Sequence, residues 1–237
     1  MSDEAISDYY DKAAIAERAL KGDHRAAIGG LWEEVGKLQF DFMVRRGLQP
    51  DHRLLDLGCG SFRGGVHFVP FLDPAKYFGF DRNQSLMNAG YDKEIVPAGL
   101  ADRLPRENLV ADDNFDFSKF PVAFDRVIAV SVFTHLTLNL VRVCLERLAE
   151  SVVAGGEFYA TYFSAPEERP TYLPLLHSPG GITTYGYQDP YHYRFADLRH
   201  AALGLPWEVL NIGDFGHPRD QRMALFRKLG EPQTPTA

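Results

Sequence analysis

Residues 53–65 read RLLDLGCGSFRGG, and this stretch decides the fold. The apolar run that ends at Leu57 predicts a short buried strand, which then turns through Gly58 and Gly60. Glycine permits a tight turn and lets a ligand approach the main chain closely, because it has no Cβ atom. Asp56 stands two residues before the first of these glycines. A carboxylate there disfavours a pyrophosphate, so the loop predicts a ligand with a cationic or amine-bearing end.

Strand and helix signals alternate along the rest of the chain. Strands are predicted at residues 54–57, 77–80, 108–111, 124–130, 157–163, 207–212 and 223–227. Helices are predicted at residues 11–21, 30–46, 64–71, 85–90, 137–153 and 195–203. Alternation of this kind implies right-handed crossovers and a mostly parallel sheet. The sequence therefore predicts an α/β fold.

Length and composition indicate a cap, one domain and a tail. With 237 residues and 45% hydrophobic content, the chain can bury one sizeable core. We expect an N-terminal helical cap at residues 1–49, a single domain at residues 50–230 and a loose tail at residues 231–237. Within the domain, residues 164–194 are rich in Pro, Gly, Tyr and His and show no clear period. Such a segment is typical of a lid or a binding loop on the substrate side.

The charge and the cysteines exclude several classes of partner. The net charge of -7 argues against a nucleic-acid surface, since phosphate recognition needs clustered Lys and Arg. The two cysteines, Cys59 and Cys144, lack metal-ligand spacing, so no metal site is predicted. They fit reduced thiols in a cytoplasmic protein. The acidic start is unlike a signal peptide, and no apolar run is long enough to cross a membrane, so we expect no membrane partner.

Acidic residues follow three successive predicted strands. Asp56 ends the first strand, Asp81 ends the second, and Asp112 and Asp113 follow the third. Ligands of an open parallel sheet bind at the carboxyl ends of its strands. A bound nucleoside accounts for all three positions, because Asp81 would accept from ribose hydroxyls and Asp112 or Asp113 from an exocyclic amine. Taken singly, each acid could equally cap a helix or form a turn.

Six motifs occur in a fixed order along the chain. They are DLGCG at residues 56–60, Asp81, Asp112, FDRVIAV at residues 124–130, SVFTHL at residues 131–136 and GGEFY at residues 155–159. Together they resemble the class I, Rossmann-like S-adenosylmethionine-dependent methyltransferases. Residues 30–40 and 61–67 are similar to a bacterial small-molecule subgroup associated with carbohydrate and natural-product gene clusters. The family implies a doubly wound, seven-stranded sheet in the order 3-2-1-4-5-7-6, with the last strand antiparallel.

The resemblance also implies an enzyme that uses S-adenosyl-L-methionine, and it assigns cofactor contacts. Asp56 would face the amino group of the cofactor and Asp81 its ribose hydroxyls, while Asp112 and Asp113 are alternatives for the adenine. The other expected cofactor contacts are Gly58, Cys59, Gly60, Arg82, Ser131 and Tyr10. Arg63 would reach the cofactor carboxylate, bind an anion on the acceptor or lie in solvent, and these alternatives stay open.

The favoured reaction is O-methylation of a sugar or natural product, which calls for a base. Histidine suits that role near neutral pH. His135 is a candidate because it follows the fourth strand, and His192 is a second because it lies in the irregular segment. The expected substrate contacts are Tyr185, Tyr187, Tyr193 and, in the final loop at residues 217–219, His217. The tyrosines are chosen because each pairs an apolar face with a hydrogen-bonding tip.

Other functions stay open at this point. The methylated atom could be nitrogen or carbon, and the acceptor could be a protein instead of a small molecule. A nicotinamide-dependent oxidoreductase shares the strand and the glycines, but Arg63 occupies the third glycine position of its fingerprint and Gly64 comes one residue late. A non-catalytic module that binds the cofactor would carry the same motifs. A homodimer is also left open.

Overall fold

The computed structural model describes residues 11–230. Its strands in chain order are β1 (Leu54–Leu57), β2 (Tyr77–Asp81), β3 (Leu109–Ala111), β4 (Phe124–Ala129), β5 (Val152–Ser164), β6 (Leu175–His177), β7 (Ile182–Thr184), β8 (His192–Tyr193), β9 (Trp207–Asp214) and β10 (Gln221–Lys228). Its helices are α1 (Lys12–Leu20), α2 (His24–Ala27), α3 (Trp32–Arg45), α4 (Gly65–Phe71), α5 (Gln84–Gly90), α6 (Leu138–Ala149) and α7 (Phe195–Ala201). The predicted α/β class is confirmed.

The main sheet has the order β3-β2-β1-β4-β5-β10-β9. Strands β1 to β5 pair in parallel, whereas β10 runs antiparallel to both β5 and β9. This confirms the predicted order 3-2-1-4-5-7-6 and the antiparallel last strand. An eighth strand, β8, is added in parallel to the end of β5, at Phe163 and Ser164.

Helices cover both faces of the sheet, as the apolar β1 strand requires. All four residues of β1 are buried, and successive side chains point to opposite faces. Leu55 packs in a core that contains Leu145 of α6, whereas Leu54 packs in a second core that contains Phe42 of α3. Asp56 lies on the same face as Leu54 because side chains alternate along a strand. The only acid of β1 is therefore buried beneath the cap.

Three of the differences between the structure and the predicted elements concern the cap, the start of β5 and the segment 164–194. The sequence does not predict α2, which lies between the two expected cap helices. The predicted helix 137–153 ends at Ala149, and Val152 begins β5 instead. The segment 164–194 is not irregular throughout, since β6 and β7 pair antiparallel and β8 joins the main sheet. The elements that the sequence does not predict here, α2 and β6 to β8, have two to four residues each, so no hydrophobic period reveals them.

Residues 11–230 contain no helix that is both long and apolar enough to cross a membrane. Within the same residues, no group of three or more His, Cys, Asp or Glu side chains is placed to hold a metal ion. Cys59 and Cys144 are free thiols and both are buried. The predicted tail at residues 231–237 lies outside the described residues.

The direction of the chain through the sheet reverses beside β1. The chain moves outward from β1 to β2 and β3, and it then returns to add β4 on the other side of β1. The loops after β1 and β4 therefore leave a crevice at the carboxyl ends of these two strands, where ligands of doubly wound sheets bind.

Candidate active site

The glycine turn after β1 forms the floor of this crevice. Gly58 and Gly60 have φ angles of 78° and 54°, which residues with a side chain rarely adopt. A Cβ atom on Gly58 would lie 2.4 Å from Cγ2 of Val132, and one on Gly60 would lie 2.9 Å from Cγ2 of Ile28. Both positions therefore require glycine, because of their backbone conformation and because of their close neighbours.

Two cavities open on the turn. The cap cavity, of about 280 Å³, is lined by the cap helices, the glycine turn, the loop after β4 and the β9–β10 loop. The edge cavity, of about 200 Å³, is lined by the glycine turn, the ends of β2 and β3 and the loop after β4. Gly58, Val132 and His135 line both cavities. The cavities are thus neighbouring halves of one cleft, and Val132 lies over Gly58 at their junction.

Hydrogen bonds hold the cap over the glycine turn. The Ser61 hydroxyl donates to the carbonyl oxygen of His24 at 3.1 Å. Nε2 of His24 lies 2.6 Å from a carboxylate oxygen of Glu94, and Arg25 donates two hydrogen bonds of 2.7 Å to the same carboxylate. Helix α2 is therefore attached both to the turn and to the segment that follows α5.

Asp56 is the one acidic side chain among the described residues that line the cap cavity. It is buried, and its Oδ2 accepts a hydrogen bond of 2.7 Å from the Tyr77 hydroxyl. Burial raises the pKa of Asp56 to about 6, although the Tyr77 hydrogen bond and the charge of Arg63 favour its ionised form. A ligand that brings a positive charge to this carboxylate would offset the cost of its burial.

The basic side chains of the cap cavity are Arg18, Arg63 and Arg219, with His217 beside them. Burial, and then repulsion from Arg219, lowers the pKa of Arg63 to about 10. Burial and the two neighbouring guanidiniums, those of Arg63 and Arg219, lower the pKa of His217 to about 3, so its ring is neutral at physiological pH. Its Nδ1 accepts a hydrogen bond of 3.1 Å from the backbone N–H of Arg219.

The neutral state of His217 predicts that the fold is sensitive to acid. Its pKa is about 6.5 in an unfolded chain and about 3 in the folded protein, so between these values protons bind preferentially to the unfolded state. The free energy of unfolding should therefore fall as the pH drops below about 6.5, by roughly 3 kcal/mol at pH 4 from this residue alone. Urea unfolding at pH 7 and pH 4 measures the change.

The comparison with His217→Gln isolates this contribution. His177 and His192, whose pKa values burial also lowers, act in the same direction. Asp56 acts in the opposite direction, because its raised pKa favours protonation in the folded state. These groups are common to both proteins, so the variant should lose less stability in acid than the native chain. An equal loss in the two proteins would contradict the assignment to His217.

Asp81 lies at the end of β2 and lines the edge cavity. Its Oδ2 accepts from the backbone N–H of Gly60 at 2.9 Å, and its Oδ1 accepts from that of Asn83 at 2.8 Å. Asp81 thus joins the glycine turn to the end of β2 and is also part of the wall of the edge cavity.

Asp112 and Asp113, which follow β3, have different hydrogen-bond and ion-pair partners. Asp112 accepts hydrogen bonds from two backbone N–H groups of its own turn and from the Lys119 ammonium at 2.5 Å. Asp113 pairs with Lys12 of α1 and lies 3.4 Å from Nε of Arg82. The edge cavity is lined by Asp112, Asp113 and Arg82. Asp112 and Asp113, the two residues considered for the adenine contact, therefore lie at one cavity. Asp112 also stabilises its own turn.

The loop after β4 begins in a strained conformation. Ser131 has a φ of 61°, which is uncommon for a residue with a side chain. Its backbone N–H donates to Oγ1 of Thr161 at 2.7 Å, and its hydroxyl donates to Oε1 of Gln221 at 3.1 Å. Both partners are buried. Through them, β5 and β10 hold Ser131 and Val132 against the cap cavity.

His135 lies where the two cavities meet. Its Nδ1 is 2.6 Å from Oδ1 of Asp189, a buried carboxylate of the segment 164–194. The backbone N–H of Tyr191 donates to the carbonyl oxygen of Thr134 at 2.7 Å. The segment is therefore attached to the loop that carries His135, and it supplies the carboxylate that orients the imidazole ring.

Four other predicted residues of this segment line neither cavity, and they are Tyr185, Tyr187, His192 and Tyr193. His192 is buried, with Nδ1 2.8 Å from the Thr184 hydroxyl and Nε2 2.9 Å from a backbone carbonyl oxygen. Tyr187 is 63% exposed, and Tyr193 is buried with its hydroxyl bonded to a backbone carbonyl. Of the two candidate bases, the structure brings His135 to the cleft and places His192 within the segment.

Arg18 lines the cleft and Asp189 contacts His135, although no signal in the sequence marks either residue. Asp189 meets His135 only because the segment 164–194 folds back on the loop after β4, and Arg18 reaches the cap cavity from α1. Neither residue stands in a motif. Tyr10, by contrast, is an expected cofactor contact that lies outside the described residues.

No family model matches the chain. Among solved structures, it is similar to magnesium protoporphyrin IX methyltransferase (ChlM) from Synechocystis PCC 6803 with bound SAM, at a TM-score of 0.62 and 14% identity, over 96% of this chain and 100% of that one. The DhpI–SAH complex matches at a TM-score of 0.62 and 16% identity, over 96% and 99% of the two chains. An O-methyltransferase family protein from Burkholderia thailandensis matches at 0.64 and 15% identity, over 97% of this chain and 66% of that one. Together with the sheet order and the glycine turn, these similarities show that the chain has the fold of the class I S-adenosylmethionine-dependent methyltransferases.

Proposed function

We propose that this protein is an enzyme that transfers the methyl group of S-adenosyl-L-methionine (SAM) to a hydroxyl group of a small-molecule acceptor. One observation carries the proposal: the glycine turn has a buried carboxylate on each side, and each carboxylate lines a different half of the cleft. Asp56 lines the cap cavity and Asp81 lines the edge cavity. Two proteins of the same fold, ChlM and DhpI, hold SAM or its demethylated product S-adenosylhomocysteine (SAH).

The residues of the cleft fit this cofactor. Asp81, at the end of β2, would accept from the ribose hydroxyls, and Asp112 or Asp113 would accept from the adenine amine in the same cavity. The methionine part would follow the main chain at Gly58, where no Cβ atom stands in the way. Its ammonium group would compensate the charge of Asp56, a carboxylate that burial otherwise disfavours. The cofactor would thus span the cleft, with its amino-acid end in the cap cavity.

His135 is the proposed base and Asp189 its positioning residue. Nδ1 of His135 lies 2.6 Å from the Asp189 carboxylate, so this nitrogen would carry the proton that it donates to Asp189. A proton from the acceptor would therefore go to Nε2. The bound cofactor supplies an electrophilic methyl group on its sulfonium. The acceptor oxygen would take this methyl group and its proton would pass to Nε2 of His135, while the electron pair of the C–S bond would remain on the sulfur of the SAH product. The Asp189 carboxylate then stabilises the imidazolium ring.

The oxygen acceptor is favoured over the alternatives because the cleft holds this histidine–carboxylate pair. A hydroxyl must lose its proton as the new bond forms, and a positioned base assists that loss. A sugar or natural product is the acceptor class that the family resemblance favours. Transfer to nitrogen, to carbon or to a protein side chain is an alternative outcome of the same assay. A nicotinamide dinucleotide is disfavoured, since Asp56 would lie beside its pyrophosphate.

Calorimetric titration with SAH tests the cofactor, and methyl-labelled SAM with a panel of hydroxylated small molecules tests the transfer. We expect one SAH molecule to bind per chain, and we expect the label to move to an acceptor oxygen. Nuclear magnetic resonance of the product identifies the methylated atom. The absence of binding heat with both SAM and SAH would overturn the proposal.

Cofactor affinity should fall in acid because of Asp56. With a pKa of about 6 in the free protein, this carboxylate must be ionised before it can pair with the cofactor ammonium. Below pH 6 the affinity for SAH should therefore drop by about tenfold per pH unit. Binding at pH 5 should release a proton, which calorimetry in buffers of different ionisation enthalpy counts. Asp56→Asn should bind weakly at pH 7 and change little between pH 5 and pH 7, and a native-like pH dependence in this variant would contradict the role.

A further inference from the structure

The cap cavity carries more positive charge than its own residues balance. Arg63 and Arg219 line it, and Asp56 is the one acid among its described lining residues. The whole chain has a net charge of -7, so this local excess runs against the overall charge. An excess of one sign in a half-buried cavity favours the binding of a counter-ion, because like charges held close together repel each other.

The guanidiniums of Arg63 and Arg219 both donate hydrogen bonds to the loop between α2 and α3. Nη1 of Arg63 donates to the carbonyl oxygens of Ile28 and Gly30 at 3.4 and 2.9 Å, and Nη2 of Arg219 donates to that of Gly29 at 2.7 Å. Neither arginine takes part in the ion pairs formed within residues 11–230. Each guanidinium has five N–H donors, so these bonds to neutral carbonyl oxygens leave further donors on both.

The pKa shifts of Arg63 and His217 agree with a local excess of positive charge in the cap cavity. Arg219 disfavours the charged form of Arg63 more strongly than Asp56 favours it. The same two guanidiniums, together with burial, keep His217 neutral, so this ring adds no further positive charge to the cavity. The two arginines therefore lie close enough to repel each other, and an anion between them would relieve that repulsion.

The proposed cofactor does not supply the missing negative charge. SAM carries a sulfonium, an ammonium and a single carboxylate, so its binding raises the positive charge of the cleft. Asp56 is matched by the ammonium, and the one carboxylate can satisfy one guanidinium, that of Arg63 beside Asp56. A second anion is still required, and the acceptor is the remaining molecule that enters the cavity.

We propose that the acceptor carries an anionic group, a carboxylate or a phosphate ester, and that Arg219 binds this group. The inference rests on the proposed function, because it concerns the acceptor of the same cleft. A guanidinium presents a planar fork of donors that matches the oxygens of a carboxylate or a phosphate. The anion would fix the acceptor in the cap cavity, on the side of the β9–β10 loop.

Anion binding to the SAH complex tests this inference without any need for the true acceptor. Inorganic phosphate and acetate are titrated separately, at constant ionic strength, into protein saturated with SAH. In this complex the carboxylate of SAH already has its own guanidinium partner, so the titrated anion reports on the second one. Native protein should bind at least one of the two anions, and the stronger one indicates whether the acceptor group is a phosphate or a carboxylate. Arg219→Gln should weaken that binding by about tenfold to hundredfold and leave the affinity for SAH unchanged.

Arg222→Gln is the matched control. It removes one positive charge close to Arg219 in the sequence, but Arg222 pairs with Asp214 and Asp220 and does not line the cap cavity. Its anion affinity should equal that of the native protein. Arg219→Lys keeps the charge without the planar fork, so it should bind the anion with intermediate affinity, and it replaces Arg219→Gln if that variant fails to fold.

The outcomes separate the inference from the proposed function. If SAH does not bind, the proposed function fails and the inference fails with it. If SAH binds but neither anion binds the complex, or if Arg219→Gln binds anions as well as the control does, the inference alone is overturned. In the labelled-methyl panel, each acceptor is supplied in a neutral and an anionic form, such as glucose against glucuronate and glucose 6-phosphate. Equal kcat/KM for the neutral and anionic forms would also overturn it.

Discussion

Replacement of His135 by alanine should slow methyl transfer by about 10²- to 10⁴-fold and leave SAH affinity unchanged, because the substitution removes a general base without touching the residues proposed to hold the cofactor. Single-turnover assays with labelled SAM measure the transfer step, and calorimetry measures the affinity for SAH. His200→Ala is the control, since His200 is exposed on α7. Its transfer rate should equal that of the native protein.

A double variant separates positioning from a general effect on stability. Asp189 acts through His135 in this mechanism, so Asp189→Asn should slow transfer in the native background and should have no further effect when His135 is already alanine. The reason is the contact of 2.6 Å between the two side chains. If Asp189→Asn slows the His135→Ala protein further, or if His135→Ala retains full activity, the assigned roles are wrong.

Substitution of Gly58 by alanine should abolish measurable SAH binding and destabilise the fold by roughly 2–4 kcal/mol, as the sum of left-handed backbone strain and overpacking. The φ of Gly58 is 78°, and the new Cβ atom would lie 2.4 Å from Cγ2 of Val132. This clash lies at the junction of the two cavities. To remove it, either the loop after β4 or the glycine turn must move. Urea unfolding and calorimetry measure the two effects.

Two further variants assign the effect of Gly58→Ala to its cause. Gly155 has a φ of 77°, and a Cβ atom there would meet no other atom within 4 Å. Gly155→Ala therefore carries the same backbone strain without the clash, and it should cost only about 1 kcal/mol and leave SAH binding intact. Addition of Val132→Ala to Gly58→Ala removes the clashing methyl group and should restore part of the affinity. A Gly155→Ala protein that also lost SAH binding would show that the clash is not the cause.

The sheet and the turn could be predicted because their signals are local in sequence. Asp56 and Asp81 each follow a short apolar run, and the strand ends bring them together once the alternation of strands and helices is recognised. The order β3-β2-β1-β4-β5-β10-β9 follows from the same family of folds. Strands β6 to β8 have two or three residues each, which is too few for a period to distinguish them from a loop.

The walls of the cap cavity were harder to predict because they depend on contacts between distant parts of the chain. The approach of Asp189 to His135 spans 54 residues, and the bond from Arg219 to Gly29 spans 190. No local pattern encodes such pairs. His192 illustrates the converse, since a histidine among aromatics in a substrate-side segment looks like a base, yet its ring nitrogens are bonded within that segment.

The division of the cleft at Val132 has a consequence for how proteins of this architecture diversify. The edge cavity is built from the sheet ends and the loop after β4, whereas the cap cavity also draws its walls from the cap helices and the β9–β10 loop. The cap and that loop lie outside the parallel strands and can be exchanged or lengthened without a change in strand order. Recombination or directed evolution of the cap and the β9–β10 loop could therefore alter the proposed acceptor side and leave intact the half that we propose for the nucleoside.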